Sequence, residues 1–511
     1  MRLAVRLVAA WVAAVGLLPA VASAQSGVTF VVTSTGDGAD SNTGDGVCAT
    51  AGNGPCTLRA AIQQANAVAG TDTIHFAIGT GLQRINVGSA LPIITSPVVL
   101  DGTTQPGFVD RPLIEVNGNG APGGIQVTAG SSTLRGLAVT GFSGDGITLK
   151  TKGGNVLEMN YVGLSADGDT GTNTGHGVVM QNSPNNRIGG PAVSQRNVIS
   201  NNKAKGGGGG IVVDGSNGAV IQGNFIGVDV TGMLERSNEA RGIAVIGSSN
   251  LLIGGPGAGM GNLIAGNRAT GVRMLGGSSN NIVQGNFLGV NRTVTDFIAN
   301  DRGVQIRGGS GHQILGNVIA GNTYDGVLIW EDSTDNLIQG NLIAFNGRGP
   351  IGDPMEAGFN GVWIAQGLRN RIVSNSIHSN GLRGIDLGTP QAITPNDLGD
   401  GDSGPNNFQN FPVFTSVTTA GGATRLVGTL NSTANGTFLV QLFADTVCDP
   451  AGGHGEGRYA LGQVNVVTNG AGNGAFDVVL PFTVPVGFGV AATATDSTGN
   501  TSEFSACVTV K

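Results

Sequence analysis

One short phrase, a glycine followed by a strand-like alternation of apolar residues, returns nine times between residues 146 and 387. Consecutive copies start 31, 33, 32, 29, 32, 23, 35 and 23 residues apart, so the bare unit has 23 residues. In every copy the residues one and three places after the glycine are apolar, which is the period of two of a β-strand. The copies start at Gly146, Gly177, Gly210, Gly242, Gly271, Gly303, Gly326, Gly361 and Gly384.

A unit of 23 residues is too small to bury an apolar face alone, so consecutive units must stack on one another. Helical repeats would show an apolar spacing of 3.6 and leucine-rich repeats a leucine frame, and the sequence has neither. The pattern therefore predicts an all-β fold, a parallel β-helix with one coil per unit. The expected inward pairs are Ile147/Leu149, Val178/Met180, Ile211/Val213, Ile243/Val245, Val272/Met274, Val304/Ile306, Val327/Ile329, Val362/Ile364 and Ile385/Leu387.

A second phrase, centred on asparagine, lies between the glycine phrases. Asparagines that return once per coil should occupy the same corner and form a ladder, in which each side-chain amide bonds the next coil. We therefore interpret them as structural. The ladder is predicted to contain Asn160, Asn197, Asn224, Asn262, Asn286, Asn317, Asn341 and Asn375.

The composition excludes several classes of protein. Glycine supplies 90 of the 511 residues, but without the Gly-X-Y period of collagen. Charged residues make up 12% of the chain and the net charge is −7, which argues against a disordered tail, a coiled coil and a nucleic-acid partner. No apolar run of 18 or more residues follows the N-terminus, so we expect no transmembrane segment in the mature chain.

Residues 1–24 have the features of a secretory signal peptide. Arg2 and Arg6 precede an apolar stretch, and Ala22-Ser23-Ala24 forms an A-x-A cleavage site. We therefore expect a secreted or cell-surface protein, exported through this peptide, whose mature form is a monomer.

The four cysteines form two local sets, which an oxidising compartment would join as disulfides. Four cysteines allow three pairings. We favour Cys48 with Cys56 and Cys448 with Cys507, because each set lies within one segment of the chain and neither has a third ligand nearby for zinc.

The segment Cys56-Thr-Leu-Arg-Ala-Ala-Ile-Gln-Gln-Ala-Asn66 resembles the CSLREA-type N-terminal domain of bacterial secreted right-handed β-helix proteins. The resemblance extends to residues 100–107, 404–412 and 499–505, and one departure is Ala60, where the family motif has glutamate. It implies a right-handed, pectate-lyase-like solenoid with an N-terminal capping helix, and it supplies no catalytic residues.

Four segments follow from these observations: the signal peptide at 1–24, an N-terminal cap with the first coils at 25–125, the repeats at 126–400, and a C-terminal part at 401–511. Thr57 is expected to cap a helix over Leu58 to Ala69. The last segment is expected to contain a linker followed by an immunoglobulin-like β-sandwich, because alternating strands are separated there by Gly, Asn and Pro turns.

Ligands of a β-helix meet the side chains that alternate with the inward pairs. Trp330 and Trp363 are the two tryptophans of the mature chain, and both fall in these outward columns on adjacent coils, about 8 Å apart. Exposed indoles suit stacking on sugar rings. The alternative is that a long loop, such as Gly347 to Asn360, covers them. The predicted polysaccharide contacts are Trp330, Trp363, Arg307, Gln305 and Arg273.

Charged residues that could act on a bound sugar surround this face, but no catalytic motif does. We therefore weigh two hypotheses: a binding protein for polysaccharide, or a carbohydrate-active enzyme, either polysaccharide lyase or glycoside hydrolase. The candidate catalytic residues are Asp325, Asp386, Glu331, Arg302 and Arg383.

Two acidic turns have oxygen ligands at the spacing that calcium sites use, although Asp, Asn and Gly also favour turns without a metal. The first candidate set is Asp397, Asp400, Asp402 and Asn406, and the second is Asp37, Asp40, Asn42 and Asp45.

Overall fold

The computed structural model describes residues 27–204, 209–347, 359–389, 392–448 and 453–511. The predicted signal peptide lies outside the described residues. None of the helices in the described ranges is long and apolar enough to cross a membrane.

Three parallel sheets, here named A, B and C, form the described solenoid, and the chain visits them in turn once per coil. Sheet A consists of Thr29–Val32, Asp72–Phe76, Val98–Asp101, Thr133–Arg135, Val156–Glu158, Arg187–Gly189, Val220–Gln222, Leu252–Gly254, Ile282–Gln284, Gln313–Leu315, Leu337–Gln339 and Arg371–Val373. Sheet B consists of Gln83–Asn86, Ile114–Asn117, Leu137–Thr140, Tyr161–Val162, Val198–Ile199, Phe225–Ile226, Leu263–Ile264, Phe287–Leu288, Val318–Ala320, Leu342–Ala344 and Ser376–His378.

Sheet C carries the glycine phrase. It consists of Ile125–Val127, Ile147–Lys150, Val178–Gln181, Gly209–Asp214, Arg241–Ile246, Val272–Leu275, Val304–Arg307, Val327–Trp330, Val362–Ile364 and Ile385–Leu387. All nine predicted inward pairs are at most 2% exposed, and Val304, Val327 and Val362 pair in one column. The predicted register is therefore confirmed, and one further strand of sheet C, Ile125–Val127, precedes the nine copies.

The predicted asparagine ladder is confirmed at the corner between sheets A and B, where each amide of the set bonds the next from Asn160 to Asn375. The sequence analysis missed a second ladder at the corner between sheets B and C. It contains Asn173, Asn202, Asn238, Asn267, Asn300, Asn322, Asn346 and Asn380. Its signal was a second asparagine five residues after the first in several coils, such as Asn346 after Asn341.

One helix, Leu58–Ala67, lies at the N-terminal end of the solenoid and ends two residues earlier than predicted. The Thr57 hydroxyl accepts a hydrogen bond from the Ala60 amide at 3.0 Å, which is the predicted cap. Leu58, Ile62 and Ala65 are buried in the same apolar core as the coils, so the helix covers the end of that core.

Antiparallel sheets follow the last coil. One consists of Val413–Ala420, Ala423–Asn431 and Asn473–Leu480, and the other of Tyr459–Val467, Thr437–Asp445, Gly489–Thr495 and Val508–Thr509. Short 3-10 turns occur at Gly102–Thr104, Val193–Gln195 and Pro405–Phe408. Both favoured disulfides, Cys48–Cys56 and Cys448–Cys507, are present.

Candidate functional site

The outward columns of sheet C are less open than their alternation predicts. Ala244, Leu328 and Asp386 are buried. Gln305, a predicted polysaccharide contact, is only 5% exposed. Arg273 and Arg307 are partly exposed, as is Lys150 nearer the N-terminus, and Trp330 is exposed.

The two tryptophans lie on adjacent strands and two positions out of step, as predicted, because Trp363 pairs with Leu328 and Trp330 pairs with Arg307. Their surroundings differ. The Trp363 indole is half-buried and its Nε1 donates to the Gly388 carbonyl at 2.9 Å, whereas Trp330 is 41% exposed. Residues 348–358, most of the predicted covering loop, lie outside the described residues.

Trp330 is bordered by a charged pair. The Arg307 guanidinium carbon lies 5.2 Å from the indole centroid, and Arg307 Nε donates to Glu331 at 2.6 Å. The backbone φ is 50° at Glu331 and 51° at Asp332, in the left-handed region that non-glycine residues seldom adopt. This turn directs Glu331 back over Arg307, beside the exposed indole.

Four arginines, here called the arginine group, lie near one another on the same face: Arg241, Arg273, Arg302 and Arg307. Arg273 is half-buried, and its pKa falls to about 10 because of burial and the positive charges of Arg241, Arg307 and Arg302, an effect that Glu331 partly opposes. Arg273 Nε is buried without a hydrogen-bond partner. Within the described part of the chain, the Arg273 side chain forms neither an ion pair nor a hydrogen bond. Among the described residues, Arg273 is therefore a partly desolvated cation that no carboxylate binds directly.

Arg241 was missed by the sequence analysis, although a signal was present. It directly precedes the repeat glycine Gly242, in the same place that Arg302 takes before Gly303 and Arg383 takes before Gly384. The residue before the repeat glycine lies at the start of a sheet C strand. An arginine there was therefore as good an indication of a charged surface as the residues of the outward columns.

The two acids predicted to be catalytic lie inside the fold. Asp325 is fully buried and accepts hydrogen bonds from Arg302 Nε at 3.2 Å and from the Asn360 amide at 3.1 Å. Burial raises the pKa of Asp325, and the charge of Arg302 counters it. Asp386 is also fully buried and accepts from the Asn360 side chain at 3.0 Å.

The other three catalytic candidates are divided between two places. Arg302, a member of the arginine group, is bound to the buried Asp325, and Glu331 is exposed beside Trp330. Arg383 lies instead at the C-terminal end of the solenoid, where it lines a small cavity with Glu503 and His454. The structure therefore brings Arg302, Glu331, Arg273, Arg307 and Trp330 to one region and leaves Arg383 outside it.

The first acidic turn brings three carboxylates together. Ligand oxygens of Asp397, Asp400 and Asp402 lie within 4.8 Å of one another, so this exposed triad could bind a metal. Asp400 accepts hydrogen bonds from the Asn410 amide at 2.9 Å and from Ser432 Oγ at 2.6 Å. Burial raises the pKa of Asp400, and the charges of Asp397 and Asp402 raise it further.

Asn406, the fourth residue of that predicted set, has another role. Its side-chain oxygen Oδ1 accepts a hydrogen bond from the backbone N–H of Asn370 at 2.9 Å. Its side-chain nitrogen donates to the carbonyls of Asn370 at 2.7 Å and Thr501 at 3.0 Å. Asn406 is thus buried at the end of the solenoid, which corrects its prediction as a calcium ligand.

The oxygens of the second acidic turn accept hydrogen bonds from donors of the chain itself. Arg59 binds Asp37 through Nε at 3.0 Å and Nη2 at 2.8 Å. The buried Gln64 Nε2 lies 2.9 to 3.1 Å from four oxygens, which belong to Asp40, Asn42, Asp45 and Val47. A side-chain amide therefore takes the central position that a cation would need, and the geometry does not favour the second calcium prediction.

Residues 227–397 match the family model described as the right handed beta helix region. The solenoid thus has the right-handed parallel β-helix fold. No curated protein matches the chain. Among solved structures it is similar to the A-module of the Azotobacter vinelandii mannuronan C-5 epimerase AlgE6, at 16% identity over 66% of this chain and 95% of that chain, with a TM-score of 0.35.

Two further solved structures are similar to this chain. The enzymatically active domain of tailspike protein 2 of bacteriophage CBA120 aligns at 10% identity over 87% of this chain and 73% of that chain, with a TM-score of 0.35. The pectate lyase Pel9A aligns at 13% identity over 73% of this chain and 83% of that chain, with a TM-score of 0.30.

Proposed function

We propose that this protein binds an anionic polysaccharide, a chain with uronate or other acidic sugar units, on the open part of sheet C. The observation that carries the proposal is Arg273, a half-buried cation without an anionic partner in the described structure, set among three other arginines. A carboxylate from a ligand would supply the missing charge, and charge-assisted hydrogen bonds to arginine are among the strongest in proteins.

Trp330 provides the second element of recognition. Its exposed indole can stack on the apolar face of a sugar ring, while the neighbouring Arg307 attracts an acid group. Adjacent coils are about 4.8 Å apart. A polysaccharide that lies parallel to the solenoid axis therefore crosses one strand of sheet C about every 4.8 Å. The chain as a whole has a net charge of −7 and so repels anions. The arginine group should therefore attract an anionic polysaccharide to this face only.

Binding of polygalacturonate and alginate by the mature protein, measured by isothermal titration calorimetry, tests the proposal. We expect both to bind in a salt-dependent way and dextran, a neutral glucan, to bind at least tenfold more weakly. Arg273→Ala and Trp330→Ala should each weaken binding about tenfold or more. Arg371→Ala, an exposed arginine on sheet A, is the matched control. Equal binding by dextran, or by both variants, would contradict the proposal.

Cleavage of the bound chain is the second candidate function, and one observation favours a lyase. A lyase needs cations that hold the acid group of the substrate, and four arginines lie on this face. Arg302 and Arg307 would stabilise the charge that develops on the substrate carboxylate. A hydrolase would need two accessible carboxylates across one bond, whereas Asp325 and Asp386 are buried.

Absorbance of unsaturated products in polyuronate solutions distinguishes the two functions. A lyase should generate such products, and Arg273→Lys should abolish them while leaving some affinity. A protein that only binds has no turnover for the variant to remove.

Calcium is the metal that we propose for Asp397, Asp400 and Asp402, because hard cations prefer carboxylate oxygens. Bound there, the cation would offset the mutual repulsion that raises the pKa of Asp400. No residue of the arginine group belongs to this triad, so we propose a role in stability rather than in the chemistry of the ligand.

We further propose that the N-terminal segment is a CSLREA-type domain and that the C-terminal sheets form an immunoglobulin-like sandwich. We also propose that the protein is exported through its signal peptide and acts as a monomer on extracellular or cell-wall polysaccharide. The two disulfides support an extracytoplasmic location, because such bonds persist in oxidising compartments.

A further inference from the structure

A cavity of about 380 Å³ lies on a different face of the solenoid, the outer side of sheet B. Its floor contains Phe225, Leu263 and Phe287, which pair with one another on three consecutive strands. Its walls are Arg196, Arg292 and residues of the glycine-rich segment 255–261. The cavity therefore combines an apolar floor with two cations.

The floor is fixed by packing. Phe225 and Leu263 belong to a small apolar cluster with Val198, Val228 and Ile298, outside the main core, and Phe287 packs against this cluster. In each two-residue strand of sheet B the first residue points outward and the second inward, as with Phe225 and Ile226. The floor residues are thus held in place without a ligand, so binding would not need to order them.

Arg196 lies over this floor. Its guanidinium carbon lies 4.0 Å from the Phe225 ring centroid, and its Nε donates to the Gly223 carbonyl at 3.1 Å. Burial lowers the pKa of Arg196, and the charge of nearby Arg292 lowers it further. Neither arginine forms an ion pair within the described ranges, so two like charges face the same cavity.

We propose that this cavity binds an aryl carboxylate, a small molecule with one carboxylate group and an apolar aromatic body. The two guanidinium groups match the carboxylate, and the phenylalanine floor matches the ring. Apart from these arginines, the side chains of the lining belong to Gly, Pro, Ala, Leu and Phe, which leave sugar hydroxyl groups without hydrogen-bond partners. A volume near 380 Å³ is in the usual range for small-molecule sites, about 300–1,000 Å³.

Isothermal titration calorimetry with 2-naphthoate tests this site in the mature protein. We expect saturable binding, and affinity about tenfold or more lower for 2-naphthylmethanol, which lacks the charge, and for glucuronate, which lacks the aromatic body. Arg292→Ala should weaken 2-naphthoate binding about tenfold, and so should Arg196→Gln. Arg371→Ala, on sheet A, should bind as the wild type does.

Arg292 is exposed, so its removal should leave the circular dichroism spectrum unchanged and keep the test valid if Arg196→Gln fails to fold. Absence of 2-naphthoate binding, or unchanged affinity in Arg292→Ala, would overturn the proposal. Glucuronate binding as tight as that of 2-naphthoate would also overturn it. Arg273→Ala should retain 2-naphthoate affinity, so this site can fail or stand independently of the polysaccharide face.

Discussion

The asparagine ladder is expected to stabilise the solenoid through hydrogen bonds that no other group can replace. Asn286 is fully buried, and its Oδ1 accepts from the Asn262 amide at 3.0 Å and from Asn262 Nδ2 at 2.9 Å. Its own Nδ2 donates to Asn317 Oδ1 at 3.0 Å and to the Ile253 carbonyl at 2.9 Å. One side chain thus connects three successive coils.

Asn286→Ala would leave two buried donors of Asn262 unpaired, the backbone N–H and one side-chain hydrogen. Each such group costs about 1–3 kcal/mol, so we expect the free energy of unfolding to fall by about 2–6 kcal/mol. Backbone pairing within the sheets remains, because the ladder atoms belong to the corner and not to the strands. The variant should therefore fold, with reduced stability.

Urea unfolding followed by circular dichroism measures this loss through the shift of the midpoint. Asn465→Ala is the matched control, because Asn465 is exposed on the strand Tyr459–Val467, and it should change stability by less than about 0.5 kcal/mol. If Asn286→Ala were as stable as this control, the ladder would not carry the energy assigned to it.

Val327→Asp places an unpaired charge in the core column and should unfold the solenoid. Val467→Asp, at an exposed position, is the control and should leave the circular dichroism spectrum unchanged. A Val327→Asp variant as stable as the wild type would refute the register. Burial raises the pKa of Glu503 to about 7, from 4.5. The folded state therefore binds this proton more tightly, and stability should fall as pH rises from about 4.5 to about 7. Glu503→Gln should flatten this dependence of the melting temperature, and an unchanged slope would contradict it. Millimolar calcium should raise the melting temperature above the value measured in chelator, because a hundredfold excess over Kd adds about 2.7 kcal/mol to the free energy of unfolding. Asp400→Asn should remove this rise. Equal melting temperatures of the wild type in calcium and in chelator would refute the site.

The core of the solenoid was predictable because each coil repeats the same local rule. The pair Val327 and Ile329 obeys a period of two, and the neighbouring coils obey it in the same register. Nine copies of a weak signal fix the stacking, although a single copy would be compatible with any buried strand.

The outward face was less predictable because exposure there depends on distant segments. Leu328 and Arg273 occupy the same position after their glycines, yet Leu328 is buried and Arg273 is half-buried. The spacing within a strand determines which way a side chain points. It contains no information about which other part of the chain covers that side chain. The sequence therefore predicted more site residues than the structure places on the exposed face.

The C-terminal segment shows why motifs far from the repeats belong to the same fold. A solenoid must protect the open strand edge of its last coil. The Arg369 amide donates to Asn500 Oδ1 at 2.7 Å, the Ile372 amide to Thr501 Oγ1 at 3.0 Å, and the Leu387 amide to Glu503 Oε1 at 3.1 Å.

Residues 499–505 therefore act as a substitute for the next coil, with side-chain acceptors at the edges of sheets A and C. The second ladder ends in the same way, because Asn380 Nδ2 donates to Glu456 Oε1 at 3.1 Å. On sheet B the Ile377 amide instead donates to the Gly457 carbonyl at 2.9 Å, a backbone contact. Because these acceptors close edges of all three sheets, the C-terminal sheets complete the solenoid. Removing them should expose unpaired strands and cause the remaining coils to aggregate.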